Sequence, residues 1–151
     1  MKIIRGTATP DSLKQLAHLE TVCFRHPGER FNLRQIRSLL NNPRACVRVA
    51  QEGDRLVGWA VGLLRRHGPH RCSGRFYALS VHPDFRGRGL GAQLAQNILG
   101  QLRRRGAQTF SLEVRTPNPA AQGLYRRLGF RPDGALPDYY GTGLHGLRMR
   151  K

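Results

Sequence analysis

The chain has 151 residues, the length of one domain that can bury a core without disulfides or a structural metal. Hydrophobic residues at 39% exclude a disordered chain, and the longest apolar run, Leu56–Leu64, falls far short of the ~20 residues that span a bilayer. Twenty-six Lys and Arg against nine Asp and Glu give +17, and every cation except Lys2, Lys14 and Lys151 is arginine, so an anionic partner is favoured and a strongly cationic substrate disfavoured.

Helix and strand patterns alternate without repeat or linker, which predicts an α/β or α+β fold with residues 1–151 as a single domain. Lys2–Gly6 reads as a first strand. Thr9-Pro10-Asp11 is a helix start, with Thr as cap and Pro in the first turn. Leu13, Leu16, Ala17, Cys23 and Phe24 then share a helical face, and Glu20 falls inside that apolar stripe. His26-Pro27-Gly28 breaks the helix. Asn32 caps a second one that carries Leu33, Ile36, Leu39 and Leu40. Arg44–Gln51, Leu56–Leu64 and Arg71–Val81 read as an antiparallel meander, with Trp59 a core residue. Gly89–Arg105 is the best helix, with Leu90, Leu94, Ile98 and Leu102 in steps of four and arginines at its C-terminal end. Thr109–Arg115 alternates: Phe110, Leu112 and Val114 one way, Ser111, Glu113 and Arg115 the other. Asn118 opens a short helix ending at Gly129, and two weak strands flank Tyr139–Gly143.

Cys23, Cys46 and Cys72 are odd in number and form no CxxC pair, and Met1–Ile4 runs into Arg5-Gly6 without an apolar leader. Both features predict a reducing, cytoplasmic setting with no membrane attachment. No metal site is expected, because His67, His70 and Cys72 lack a fourth ligand and sit in a hairpin loop.

The strongest local signal is Arg86-Gly87-Arg88-Gly89-Leu90-Gly91, between a strand and the best helix. Glycines let a ligand approach the backbone, and the adjoining helix offers free N–H groups at its positive end, a place for a pyrophosphate. A P-loop would need a closing Gly-Lys-Ser/Thr, and a dinucleotide fold the spacing GxGxxG; neither is present. By itself the motif also reads as a flexible basic turn that caps a helix.

The whole block Leu79-Ser80-Val81-His82-Pro83-Asp84-Phe85-Arg86-Gly87-Arg88-Gly89-Leu90-Gly91 resembles the acetyl-CoA-binding segment of the GNAT superfamily of N-acetyltransferases. Arg86, Gly89 and Gly91 match its Gln/Arg-x-x-Gly-x-Gly/Ala hallmark. Leu112-Glu113-Val114-Arg115 and Asn118 to Phe130 are similar to the family's LEVR…N-x-x-A-x-x-LY-x-x-x-GF pattern. Leu136-Pro137-Asp138-Tyr139-Tyr140 resembles the double-tyrosine turn of N-terminal protein acetyltransferases. The blocks cover about half the chain, and the subgroup they resemble most is the ribosomal-protein-alanine N-acetyltransferase-like branch.

This resemblance implies a mixed, mostly antiparallel sheet of about seven strands flanked by about four helices. It also implies a parallel pair, Phe76–Val81 and Thr109–Arg115, whose ends splay apart. It implies acetyl-CoA as cofactor. The Leu79-Ser80-Val81 stretch would take the pantetheine arm on the exposed backbone of Leu79 and Val81. The N–H groups of Gly87, Arg88, Gly89, Leu90, Gly91 and Ala92, with Arg86 beside them, would hold the pyrophosphate, and Asn118 the arm. Glu113 is implied as base and Tyr125 as the acid, also in contact with the cofactor. Glu20 is a rival carboxylate, unless a buried ion pair explains its place. Glu113 pairing with a nearby arginine, and Tyr125 as a packed aromatic, are the plain alternatives. An acceptor would enter between the His26–Phe31 loop and the Tyr139–Gly143 turn, with Glu20, Phe31, Tyr139 and Tyr140 lining it. The implied acceptor is a protein or peptide N-terminal α-amine, and ribosomal association is raised with it. A small-molecule amine or amino-acid-like metabolite is the alternative, and a basic RNA- or ribosome-binding module with a degenerate cofactor site is a third reading.

Overall fold

The continuous apolar run at Leu56–Leu64 becomes a strand covered on both faces, which is why it shows no alternation. A computed structural model describes residues 1–151. The strands β1 (Lys2–Arg5), β2 (Ala45–Glu52), β3 (Arg55–Arg66) and β4 (Cys72–Val81) pair antiparallel in that order. Next comes β5 (Thr109–Arg115), the one parallel neighbour, then β7 (Gly146–Arg150) and β6 (Arg131–Leu136). The sheet is therefore seven-stranded, mixed and mostly antiparallel, as the resemblance implied.

Four α-helices cover its two faces. α3 (Leu90–Arg104) and α4 (Pro119–Arg127) pack on one face, where Leu90, Leu94, Ile98 and Leu102 join Phe76, Leu112 and Val114. α1 (Pro10–Cys23) and α2 (Leu33–Asn41) pack on the other, against Val49, Trp59 and Val61. Local signals set the helix starts. Thr9 accepts from the Ser12 N–H, Asn118 caps α4, and Asn32 with Gln35 forms a reciprocal capping box. In α1, Leu19 lies in the core, whereas Phe24 already has extended backbone and stands outside the helix. No helix is long and apolar enough to cross a membrane.

Glu20 is completely buried without a cation. Its Oε1 accepts from the Trp59 indole N–H and from the Ser80 hydroxyl, both at 2.8 Å, and Oε2 accepts from the Phe31 backbone N–H at 3.2 Å. These three bonds tie α1 to β3, to β4 and to the loop that leads into α2. Neither sequence reading of Glu20 fits. It faces no acceptor, because all of its surface is covered, and the ion pair is replaced by three neutral donors. Burial pushes its carboxyl pKa up, against the pull of those bonds. A carboxyl with a raised folded pKa leaves the native state holding more protons than the unfolded one. Stability therefore falls as pH rises from the ordinary carboxyl range toward the raised value. Glu20→Gln should lack this component: urea unfolding at a series of pH values should show the wild-type advantage over the variant shrinking as pH rises.

Candidate active site

β4 and β5 stay paired only from Ser73–Thr109 to Phe76–Leu112. Beyond Phe76 they separate, while β5 continues along β7. The cause lies in β4. Val61 of β3 faces Ala78 and Gly62 faces Phe76, so Tyr77 is an extra, bulged residue. A bulge bends its strand and reverses the facing of the residues beyond it. Phe76 points to the α3 side, Tyr77 and Ala78 both point to the α1 side, and Leu79 and Val81 return to the α3 side. The His82 N–H donates to the Val57 carbonyl on β3. By alternation Ser80 also bonds toward β3, and the backbones of Leu79 and Val81 turn into the gap.

Ser80 therefore leaves the set assigned from sequence to the cofactor, since its hydroxyl is spent on Glu20 and its backbone on β3. The Val81 carbonyl is also occupied, accepting from Arg86 Nε at 2.9 Å and Cys23 Sγ at 3.4 Å. Arg86 is thus fastened to the gap rather than free.

Gly87 and Gly89 hold left-handed backbone, φ 75° and 77°. Gly89 is the N-cap of α3 and supplies no side-chain cap. The first N–H bonded back into the helix belongs to Gln93, so the N–H groups from Gly87 through Ala92 have no partner in the chain. Gly91 is different. It is helical, and a Cβ there would meet only Leu79, Val81 and Leu124 at ordinary contact distance. Unpartnered donors at the positive end of a long helix fit a pyrophosphate. The Leu90 side chain is buried in the core, Arg88 lies over the Phe85 ring, and Asn118 spends its amide oxygen on the Ala121 N–H.

The α1 face of the gap carries the charges. Glu113 Oε2 accepts from Arg75 Nε at 3.0 Å, and Arg75 Nη2 donates to the Tyr139 hydroxyl at 3.0 Å. Burial works against the Arg75 charge, but Glu113, together with Tyr139 and Tyr77, outweighs it and holds the guanidinium more firmly protonated than usual. Glu29, from the loop between α1 and α2, pairs with Arg115 at 2.6 Å. Gly28 in that loop lies against the Tyr140 carbonyl, so the two loops assigned to the acceptor meet. The Phe31 ring packs on Trp59 and Tyr77, and the Tyr139 and Tyr140 rings meet edge to face. Burial, then the neighbouring Tyr139 and Glu113, push the Tyr140 phenol up and keep it protonated.

Tyr125 lies on the other face, 8% exposed, with its ring 5.7 Å from that of Phe76, where the strands part. No protein group hydrogen-bonds its hydroxyl. Burial, with Tyr140 nearby, pushes its pKa far up and holds the O–H proton.

Residues 13–130 match the family profile of the Acetyltransferase (GNAT) family. The chain belongs to the GNAT family. It is 34% identical over 154 residues to the uncharacterized Mycobacterium leprae protein ML0378, covering 99% of this chain and 40% of that protein. It is 42% identical over 66 residues to the [ribosomal protein bS18]-alanine N-acetyltransferase of Salmonella typhimurium, covering 44% of this chain and 45% of the enzyme. The chain thus spans under half the length of these two curated relatives. Among solved structures, Arabidopsis thaliana Naa50 in complex with the bisubstrate analogue CoA-Ac-MVNAL superposes with a TM-score of 0.82. The identity is 21%, with 100% of this chain and 99% of that one covered, and the likeness is one of fold.

In this GNAT sheet the residues that sequence reasoning missed are Arg75, Arg115 and Glu29. Arg115 shares the Glu113 side of an alternating strand, a signal that was legible. Arg75 and Glu29 reach the site only through strand pairing and loop packing. Left-handed backbone costs a non-glycine residue about 1–2 kcal/mol. Gly87→Ala and Gly89→Ala should each lose about that much in urea unfolding although neither methyl touches a neighbour, whereas Gly91→Ala should leave stability equal or slightly higher.

Proposed function

We propose that the chain transfers an acetyl group from acetyl-CoA to a primary amine, and that the amine is the N-terminal α-amine of a protein or peptide. The observation that carries this reading is the fork between β4 and β5. It opens the sheet from the α3 face, which has the free N–H run, to the α1 face, which has Glu113. A cofactor on one side and an acceptor on the other can meet only there.

Acetyl-CoA held along the fork supplies a thioester carbonyl with a thiol leaving group. The N–H groups from Gly87 to Ala92 would hold its phosphates, and the Leu79 backbone and the Val81 N–H, with the Asn118 amide, would align its arm. Glu113, directly or through one water, takes a proton from the acceptor amine as the C–N bond forms. Tyr125 gives its O–H proton to the sulfur as the C–S bond breaks. The proton on Glu113 returns to Tyr125 through solvent, so both groups finish as they began.

The charges support an α-amine. Glu113 is tied to Arg75, so the acceptor should bring an amine that is partly neutral already: an α-amine ionises at about 7.7–8.0, a lysine at about 10.4. Glu29 is likewise matched by Arg115, so neither of these two carboxylates is left free to draw in a polycation.

Thiol release should be measured over peptides with free N-termini, N-blocked lysine peptides and small amines, and the free N-termini should react fastest. Small amines reacting faster would overturn the acceptor assignment. Tyr125→Phe should slow turnover by about 100-fold or more, the scale of general acid catalysis. Because its hydroxyl bonds no protein group, Tm should scarcely change. Glu113→Gln should slow turnover similarly while the Tm rise caused by acetyl-CoA persists.

A further inference from the structure

Seven of the arginines gather at one end of the sheet. β3 runs toward the end of the sheet opposite the glycine turn and finishes in Arg65-Arg66, and Arg71 comes just before β4. α3 and α4 both start near the fork and descend to that same end, where they close with Arg103-Arg104 and Arg126-Arg127.

Hydrogen bonds join these ends into one surface. The Gln108 N–H before β5 donates to the Cys72 carbonyl at the start of β4. Phe110 at the start of β5 and Lys151 just after β7 exchange backbone bonds, and Lys151 Nζ donates to the Leu128 carbonyl just past α4. Arg105 clamps the end of α3 to the carbonyls of Pro43 and Ala45.

All seven arginines are exposed, and none has a carboxylate partner. The one acid at this end, Asp133, is taken by Arg150. The other acids lie at the β2–β3 turn, near the glycine turn, on the α1 side, or on the acceptor face.

We infer that this arginine pole is a docking surface for the phosphate backbone of a nucleic acid, remote from the acetyl-transfer cleft. Guanidinium forks match phosphate oxygens in pairs. Arginines displayed on several separate element ends suit a repeating row of phosphates better than one small anion. A membrane surface fits less well, because lipid-seeking faces set apolar side chains beside their cations. The exposed large apolar residues, Met1, Ile4, Val22, Leu33 and Tyr139, all lie elsewhere. The inference does not rest on the proposed reaction.

The test is fluorescence anisotropy of the full chain with labelled 20-base-pair RNA and DNA duplexes from 50 to 300 mM KCl. Anionic phospholipid vesicles serve as a third arm. Log affinity should fall linearly with log salt, by about 0.9 for each phosphate engaged, giving a slope steeper than about −3. Preference for RNA or for DNA identifies the source of the phosphates. Arg103→Glu with Arg104→Glu, and Arg126→Glu with Arg127→Glu, should each weaken binding at least tenfold. The neutral pair Arg103→Gln with Arg104→Gln should weaken it less. Arg34→Glu with Arg37→Glu, the same charge change on α2, should weaken it less than threefold. Each variant should keep the wild-type Tm, and one that does not is replaced by its glutamine counterpart. Equal losses from the α2 pair and the pole pairs would overturn the inference, because total charge would then suffice. So would a salt-independent affinity, or tighter binding to vesicles than to either duplex.

Discussion

Everything in this fold depends on leaving part of a buried sheet unpaired. Backbone N–H and C=O groups inside a protein almost always find partners, and a central strand normally gives them to both neighbours. β4 does so only as far as Phe76. From Tyr77 on it keeps β3 and lets β5 go, so a row of backbone groups opens into a cleft in the middle of the molecule. Such a defect survives only where the rest of the sheet holds the two strands in place and a ligand or solvent satisfies the exposed groups.

Glu20 is one of the restraints that keep β4 in place beyond the bulge. A buried carboxylate is costly, and here three neutral donors share that cost instead of a cation. Its partners come from β3, from β4 and from the loop that also carries Glu29, so the same knot sets the far wall of the cleft and the approach to it. Ser80 can reach it only because the bulge turned that residue toward α1. One inserted residue thus points Leu79 and Val81 into the groove and Ser80 into the restraint.

The charges show a similar division. On the acceptor side of the cleft, Glu113 and Glu29 are each matched by one arginine inside a strongly cationic chain. At the opposite end only Arg150 has such a partner, Asp133, and the seven arginines on the element ends have none. The paired charges face the acceptor side of the cleft, and the group of seven unpaired arginines stands at the other end of the sheet.

The amino-acid pattern alone determined the elements and much of the cofactor groove. The steps of four in α3, the alternation in β5, the caps at Thr9, Asn32 and Asn118, and the glycine turn are short-range signals, carried by residues a few positions apart. The motif blocks added the family and, with it, the expectation of a fork. Tertiary structure alone decided what Glu20, Ser80, Arg75 and Glu29 do. Their partners stand far away in the chain, and strand register, not local spacing, brings them together. The bulge at Tyr77 leaves no trace in the run Phe76–Val81, because such a shift in facing is set by the neighbouring strand and by packing on both sides of the sheet.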